Sequence, residues 1–159
     1  MENSKRTVKK IPHTDNYTLI RAIVIGIAYR EKIKERSDML KRPTNKQLKA
    51  EVYRAVVACN MTNRKCEISD MVELEKYFKK YKLVLLDENY IDSEKVIYVN
   101  NKQKFEKIIY IQCRTDGFNV IDSMESYCGK YYFCEHCTDI FSYVRDHEFC
   151  EFKEYDKFK

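Results

Sequence analysis

Between Thr14 and Tyr29 the chain runs from a polar cluster, Thr-Asp-Asn, straight into its most apolar stretch, where only Arg21 and Gly26 interrupt the run from Leu19 to Ala28. A helix with apolar residues on every side has no face to give to water, so the pattern predicts a helix at the centre of a core. The run falls short of the ~20 apolar residues that a bilayer span needs. Thr14, Asp15 and Asn16 have short side chains that accept first-turn N–H groups, and they mark the start of the helix. A charged stretch, REKIKERSDMLKR, then reads as an exposed helical continuation or a loop ending near Pro43. From Asn45 to Asn60, Leu48, Val52, Ala55, Val56 and Cys59 fall on one helical stripe. Asp70 and Glu73 have capping-box spacing ahead of a helix of about three turns, with Val72, Leu74, Tyr77, Phe78 and Tyr81 as its apolar face.

From Lys82 the period changes. KLVLL, KVIYVN, KIIYIQC and FNVIDSM are short β-branched and aromatic runs, separated by turn-rich pieces such as DENYIDSE and NNKQ. Helices followed by clustered strands predict an α+β domain: a buried central helix, helices packed on it, and a small mixed or antiparallel sheet. No internal repeat or low-complexity tract interrupts this order.

Composition narrows the class. A chain of 159 residues, 44% of them hydrophobic, supports one domain with a sizeable core and a small appendage. Three Gly cannot build a Gly-rich phosphate loop, which argues against nucleoside-triphosphate chemistry. MENSKRTVKK carries charge without an apolar segment, so the expectation is an intracellular protein of the cytoplasm or nucleus, neither secreted nor in a membrane. The seven Cys then read as thiols or metal ligands before disulfides. Net charge is +5, split unevenly: residues 1–82 hold 20 Lys and Arg against 10 Asp and Glu, and residues 83–159 hold 10 against 15. The clusters KRTVKK, KRPTNKQLK and KKYK can attract phosphates or acidic proteins, although short clusters of this kind are ordinarily a solvated surface.

Near the end, Cys134, Cys137, His147 and Cys150 form C-x2-C-x9-H-x2-C after the aromatic run KYYFC. Pairs of ligands two residues apart suit a knuckle on one tetrahedral zinc ion. Four protein ligands leave no open position for water, so a zinc ion here is structural. His136 and Cys128 are substitutes in a shifted register, while Cys59, Cys66 and Cys113 read as scattered core or surface thiols. The chain divides into a basic segment 1–11, a main domain 12–127, a knuckle-like module 128–152 and a tail 153–159.

The pattern D-N-x-x-L-x-R-A-I at Asp15 to Ile23 resembles the first catalytic motif of the ovarian tumour (OTU) family of cysteine proteases. There a polar loop runs through Asp and a nucleophilic Cys into a buried helix. The resemblance puts Thr18 at the nucleophile position and Asp15 three residues ahead of it. The family's later His-aromatic-Asn segment matches Gly117, Phe118 and Asn119, so Gly117 stands at the position of the base and Asn119 at that of the orienting polar residue. A threonine hydroxyl is too weakly acidic to be ionised by a helix N-terminus as a thiol is, and it needs a base to take its proton. His13 is the nearest histidine in sequence, and Asp116 neighbours position 117 but would point to the other face of a strand. The order of these motifs with the zinc-like region, from Pro12 to Cys150, is similar to what precedes the family B DNA polymerase in Polinton-type transposons and related DNA viruses.

What the resemblance implies is a catalytically inactive OTU-like protein of viral or mobile-element origin. It would bind a protein partner, ubiquitin-like or a replication component, and carry a structural zinc ion. The alternatives are a nucleic-acid-binding accessory of polymerase-driven replication, working through the basic first half, and a residual peptidase or deubiquitinase.

Overall fold

The computed structural model describes residues 7–12, 15–100, 102, 104–129, 132–133 and 140–141, the last two pairs by their backbone. Five strands form a mixed sheet in the order β1-β5-β4-β2-β3. These are β1 (Val8–Lys9), β2 (Tyr81–Asp87), β3 (Val96–Tyr98), β4 (Lys107–Arg114) and β5 (Gly117–Ile121). Only β2 and β4 run parallel, in register from Tyr81↔Lys107 to Asp87↔Cys113; the other pairs are antiparallel. The helices are α1 (Thr18–Arg30), α2 (Arg36–Lys41), α3 (Lys46–Ala58), α4 (Met71–Tyr77), α5 (Tyr90–Ser93) and α6 (Met124–Cys128). A separate antiparallel pair, β6 (Tyr132–Phe133) and β7 (Ile140–Phe141), follows. The architecture is therefore α+β with a small mixed sheet, as the change of period at Lys82 predicts.

The sheet alternates its side chains between two cores, as the two-residue period of a strand requires. Leu83 and Leu85 of β2, Ile109 and Ile111 of β4 and Val120 of β5 join α1, α3 and Met39 of α2 in the larger core. Val84, Leu86, Ile108, Tyr110 and Ile121 pack on the opposite face against Tyr90 of α5 and Met124, Tyr127 and Cys128 of α6.

α1 is the central helix that its sequence demands. Ten of its residues are buried, Gly26 and Arg21 among them. It runs antiparallel to β4, with its C-terminal end at the start of the strand: Lys107 Nζ donates to the Arg30 carbonyl at 3.3 Å and lies 3.4 Å from a Glu31 carboxylate oxygen. A lysine at a helix C-terminus opposes the negative end of the dipole.

Several boundaries differ from expectation. α1 begins at Thr18, after a Tyr17 N-cap with no side-chain cap bond, rather than behind a capping Asp15 or Asn16, and Thr14 lies outside the described residues. Asp15 accepts the Tyr17 N–H at 2.9 Å, which closes a turn before the helix instead of capping it. The capping box is Glu67 with Asp70 around a short 3-10 turn (Ile68–Asp70), not Asp70 with Glu73. α4 accordingly buries Met71, Leu74 and Glu75, while Val72 is exposed and Tyr81 opens β2. The basic segment 1–11 contributes β1, and Thr7 and Ile11 are buried beside it. No helix among the described residues is long and apolar enough to cross a membrane.

Gly26 sets how closely α1 approaches the sheet. A Cβ there would stand 2.6 Å from Ile109 Cγ2 and 3.7 Å from Val120 Cγ1. Ile109 is only 1% exposed, and its Cγ2 branches directly from Cβ, so it has little room to yield. Overpacking of this kind costs about 1–3 kcal/mol, against a gain of about 0.5–1 kcal/mol from helix propensity. Gly26→Ala is expected to lower the unfolding free energy by roughly 1–2 kcal/mol in urea titration. An increase in stability would show that α1 rides higher above the sheet.

A candidate binding cavity at the head of the central helix

A cavity of about 720 Å³ opens where the first turn of α1 meets the β4–β5 hairpin and the segment 65–69. Three elements build it. The first is the turn before α1, with Asp15, Asn16 and Thr18; the second is the hairpin from Arg114 to Phe118; the third runs from Lys65 to Ser69. Antiparallel α1 brings its N-terminus to the C-terminal end of β4, and Arg114↔Gly117 register closes the hairpin in a two-residue turn. That places Thr18 and Gly117, ninety-nine positions apart, on one cavity wall set.

Thr18 is 4% exposed, and its hydroxyl is engaged in both directions. It donates to the Asp15 carbonyl at 3.0 Å and accepts the Asp15 N–H at 2.7 Å. Asp15 also accepts from Arg21 Nη2 at 2.5 Å. The turn and the first helical residue thus form one closed polar unit. Gly117 has φ of 154°, a conformation that L side chains rarely adopt.

Asn119 does not line the cavity. Its Nδ2 donates to Gln112 Oε1 at 3.1 Å and its Oδ1 accepts the Ile11 N–H at 3.3 Å, while Gln112 Nε2 donates to Tyr127 Oη at 3.4 Å. This buried polar chain ties the segment after β1 to β5, β4 and α6. Asp116, by contrast, lies in the hairpin turn rather than on a strand face; it lines the cavity and accepts from Arg114 Nε at 3.3 Å. Arg114 Nε is also 3.8 Å from a Glu88 carboxylate oxygen, which holds the hairpin from its other side.

The segment 65–69 has no counterpart in the sequence reading. Its place is fixed by the Cys66 N–H, which donates to the Asn16 carbonyl at 2.8 Å. Cys66 is buried, and burial pushes its thiol up to about 12, so it is a protonated thiol rather than a nucleophile. Burial has the same effect on Cys113, up to about 12. No short-range signal marks Cys66 as a cavity residue, because the bond that puts it there crosses fifty positions.

Cys134, Cys137, His147 and Cys150 lie outside the described residues, as do His13 and His136. Among the described residues, no group of three or more His, Cys, Asp or Glu gathers around a point that could hold a metal ion. Cys128 sits in the second core with its thiol raised to about 11 by burial. No family model matches the chain, and neither a curated protein nor a solved structure is detectably similar to it.

Arg64 grips Asp70 with two hydrogen bonds, at 2.8 and 3.0 Å, and so anchors the end of the cavity wall. These bonds hold the Asp70 carboxyl below its usual range. In the unfolded chain that carboxyl returns to about 3.9, so the stabilisation is complete above this value and is lost as pH falls through the lower folded one. Asp70→Asn is expected to be less stable than wild type near neutral pH, with the gap closing as pH falls below about 4 in urea unfolding. A gap that persists unchanged in acid would assign the effect to something other than this ion pair.

Proposed function

We propose that the chain is a catalytically inactive OTU-like module that binds a protein partner at the cavity on the head of α1. One observation carries this reading. The hydroxyl standing where a nucleophile is needed is locked both ways to the Asp15 backbone, and across the cavity Gly117 has no side chain to take a proton. Nucleophile, base and orienting group work as a unit, and the loss of one removes most of the acceleration. The three carboxylates that line the cavity serve other groups: Asp15 holds Arg21, Asp116 holds Arg114, and Glu67 belongs to the capping box with Asp70. What is left is a recess of about 720 Å³ with mixed charge, in the size range of binding pockets. A ubiquitin-like protein or a replication component, in the setting of a virus or mobile element, is the partner class that the OTU-like motifs favour.

The same reading includes a structural zinc ion on Cys134, Cys137, His147 and Cys150. Antiparallel pairing of β6 with β7, Phe133↔Ile140, draws together the two ends of the segment that contains Cys134 and Cys137. Such closure is what a knuckle needs to turn two thiolates towards one ion. Purified protein is expected to contain about one zinc per chain by elemental analysis. Cys134→Ser or Cys137→Ser should release it and expose residues beyond about 131 to protease while α1 stays protected, because the binding energy is local folding energy. Metal-free protein prepared without chelator would rule the site out.

Inactivity is tested with ubiquitin isopeptide substrates and thiol-directed ubiquitin probes. Wild type is expected to give neither cleavage nor labelling. Thr18→Cys combined with Gly117→His restores a thiol and a base, and the pair is expected to label weakly where each single change does not. Recovery is limited by backbone strain, on the order of 1–3 kcal/mol, from a side chain at the positive φ of Gly117. Wild-type cleavage that Thr18→Ala abolishes would overturn the proposal.

A further inference from the structure

A second cavity, of about 320 Å³, lies between the N-terminal turn of α1 and the flank of α3. It stands whether or not the cavity at the head of α1 binds anything. Its floor is aliphatic: Leu48, Val52 and Val56 are the core-facing stripe of α3, and Pro43 closes one end. Tyr53 forms the outer wall at 68% exposed. Val57, one turn further on the same exposed face, is 52% exposed. Large apolar side chains at i and i+4 on the outer face of a helix gain nothing for the fold where, among the described residues, nothing covers them.

Charge says what kind of group the groove takes. Its charged lining residues are Arg21 and Lys49, with no carboxylate among them. Arg21 serves Asp15. The other arginines around α3 each have a carboxylate, Asp38 for Arg42, Glu51 for Arg54 and Asp70 for Arg64. Lys49 has none among the described residues. An aliphatic floor, an aromatic wall and an uncompensated ammonium on the rim complement an apolar side chain next to a carboxylate.

We propose that this groove docks a short acidic peptide segment of a partner protein. One large apolar side chain seats between Tyr53 and the floor of Leu48, Val52 and Val56, and a flanking carboxylate meets Lys49. Tyrosine walls of this kind supply contact area at low entropic cost and are frequent anchors of binding energy.

The test uses the full chain and three fluorescein-labelled probes: a peptide with a central Phe flanked by Asp and Glu, the same peptide with Lys flanks, and the acidic peptide with Ala for Phe. Fluorescence anisotropy is expected to rank the acidic Phe peptide tightest by about tenfold or more, with affinity falling as salt is raised. Amide shifts in a 15N spectrum should map to α3 and residues 62–63. Tyr53→Ala should weaken binding by about tenfold, and Lys49→Glu should invert the preference between acidic and basic flanks. Both side chains are exposed, so both variants should keep the wild-type melting curve. Equal binding of acidic and basic peptides, shifts confined to the other cavity, or displacement of the peptide by single-stranded DNA would each overturn the proposal. So would self-association of the chain that Tyr53→Ala abolishes, since the groove would then belong to a second copy.

Discussion

The contact between Gly26 and Ile109 is the constraint from which the rest of the arrangement follows. There the helix backbone meets a sheet side chain too closely for a Cβ to intervene. α1 has 13 residues and rises about 20 Å, while β4 has eight and spans about 26 Å. A helix pinned at its ninth residue to the third residue of an antiparallel strand ends close to the strand's two ends. At one end Lys107 caps Arg30. At the other Thr18 comes to the β4–β5 turn and the cavity opens. The site is thus a consequence of packing, set up before any polar group is counted.

A second device holds the wall of that cavity in place. Glu75 is 2% exposed, a position in which an unpaired carboxylate would cost several kcal/mol. It accepts the Leu83 N–H at 2.8 Å and the Tyr98 hydroxyl at 2.9 Å, which fastens α4 to β2 and β3 at once. Burial and this bond push the Tyr98 phenol up to about 12, so it remains a donor across the physiological range. Lys102 Nζ adds bonds to the carbonyls of Glu75 and Tyr81 at 3.1 and 2.7 Å, closing the C-terminal turn of α4. The segment 65–69 therefore hangs between Asn16 at one side and a fixed helix at the other.

How much of this could be read from the chain depends on how local the cause is. α1, α3 and the strands β2 to β5 follow from hydrophobic periodicity, which each segment carries by itself. Asn45 caps α3 by accepting the Leu48 N–H, a bond written in residues three apart. α4 is less legible, because Glu75 belongs to its buried face and a stripe that expects only apolar residues shifts to Val72. β1 is two residues long in a lysine-rich stretch, and only its partner Val120–Ile121 makes it a strand. Thr18 and Gly117 share a cavity because α1 lies antiparallel to β4, a relation that neither residue's neighbours in the chain carry. The fate of Asn119 is no more local, since Gln112, which takes its amide, becomes a neighbour only when β4 and β5 pair.

The polar turn before α1 joins these themes. A hydrogen bond contributes about 0.5–1.5 kcal/mol net, and Thr18 makes two with the Asp15 backbone, fixing its position in the turn. Fixed there, Asp15 presents its carboxylate to Arg21, whose own side chain is only 10% exposed and so needs a partner in place. Asp15 lines the cavity at the helix head, whereas Arg21 lines the groove beside α3. One ion pair is the partition between the two recesses. A hydroxyl at position 18 suits this task because it donates and accepts together, whereas a thiol does both weakly. The Thr18 hydroxyl thereby stiffens the wall that the two recesses share.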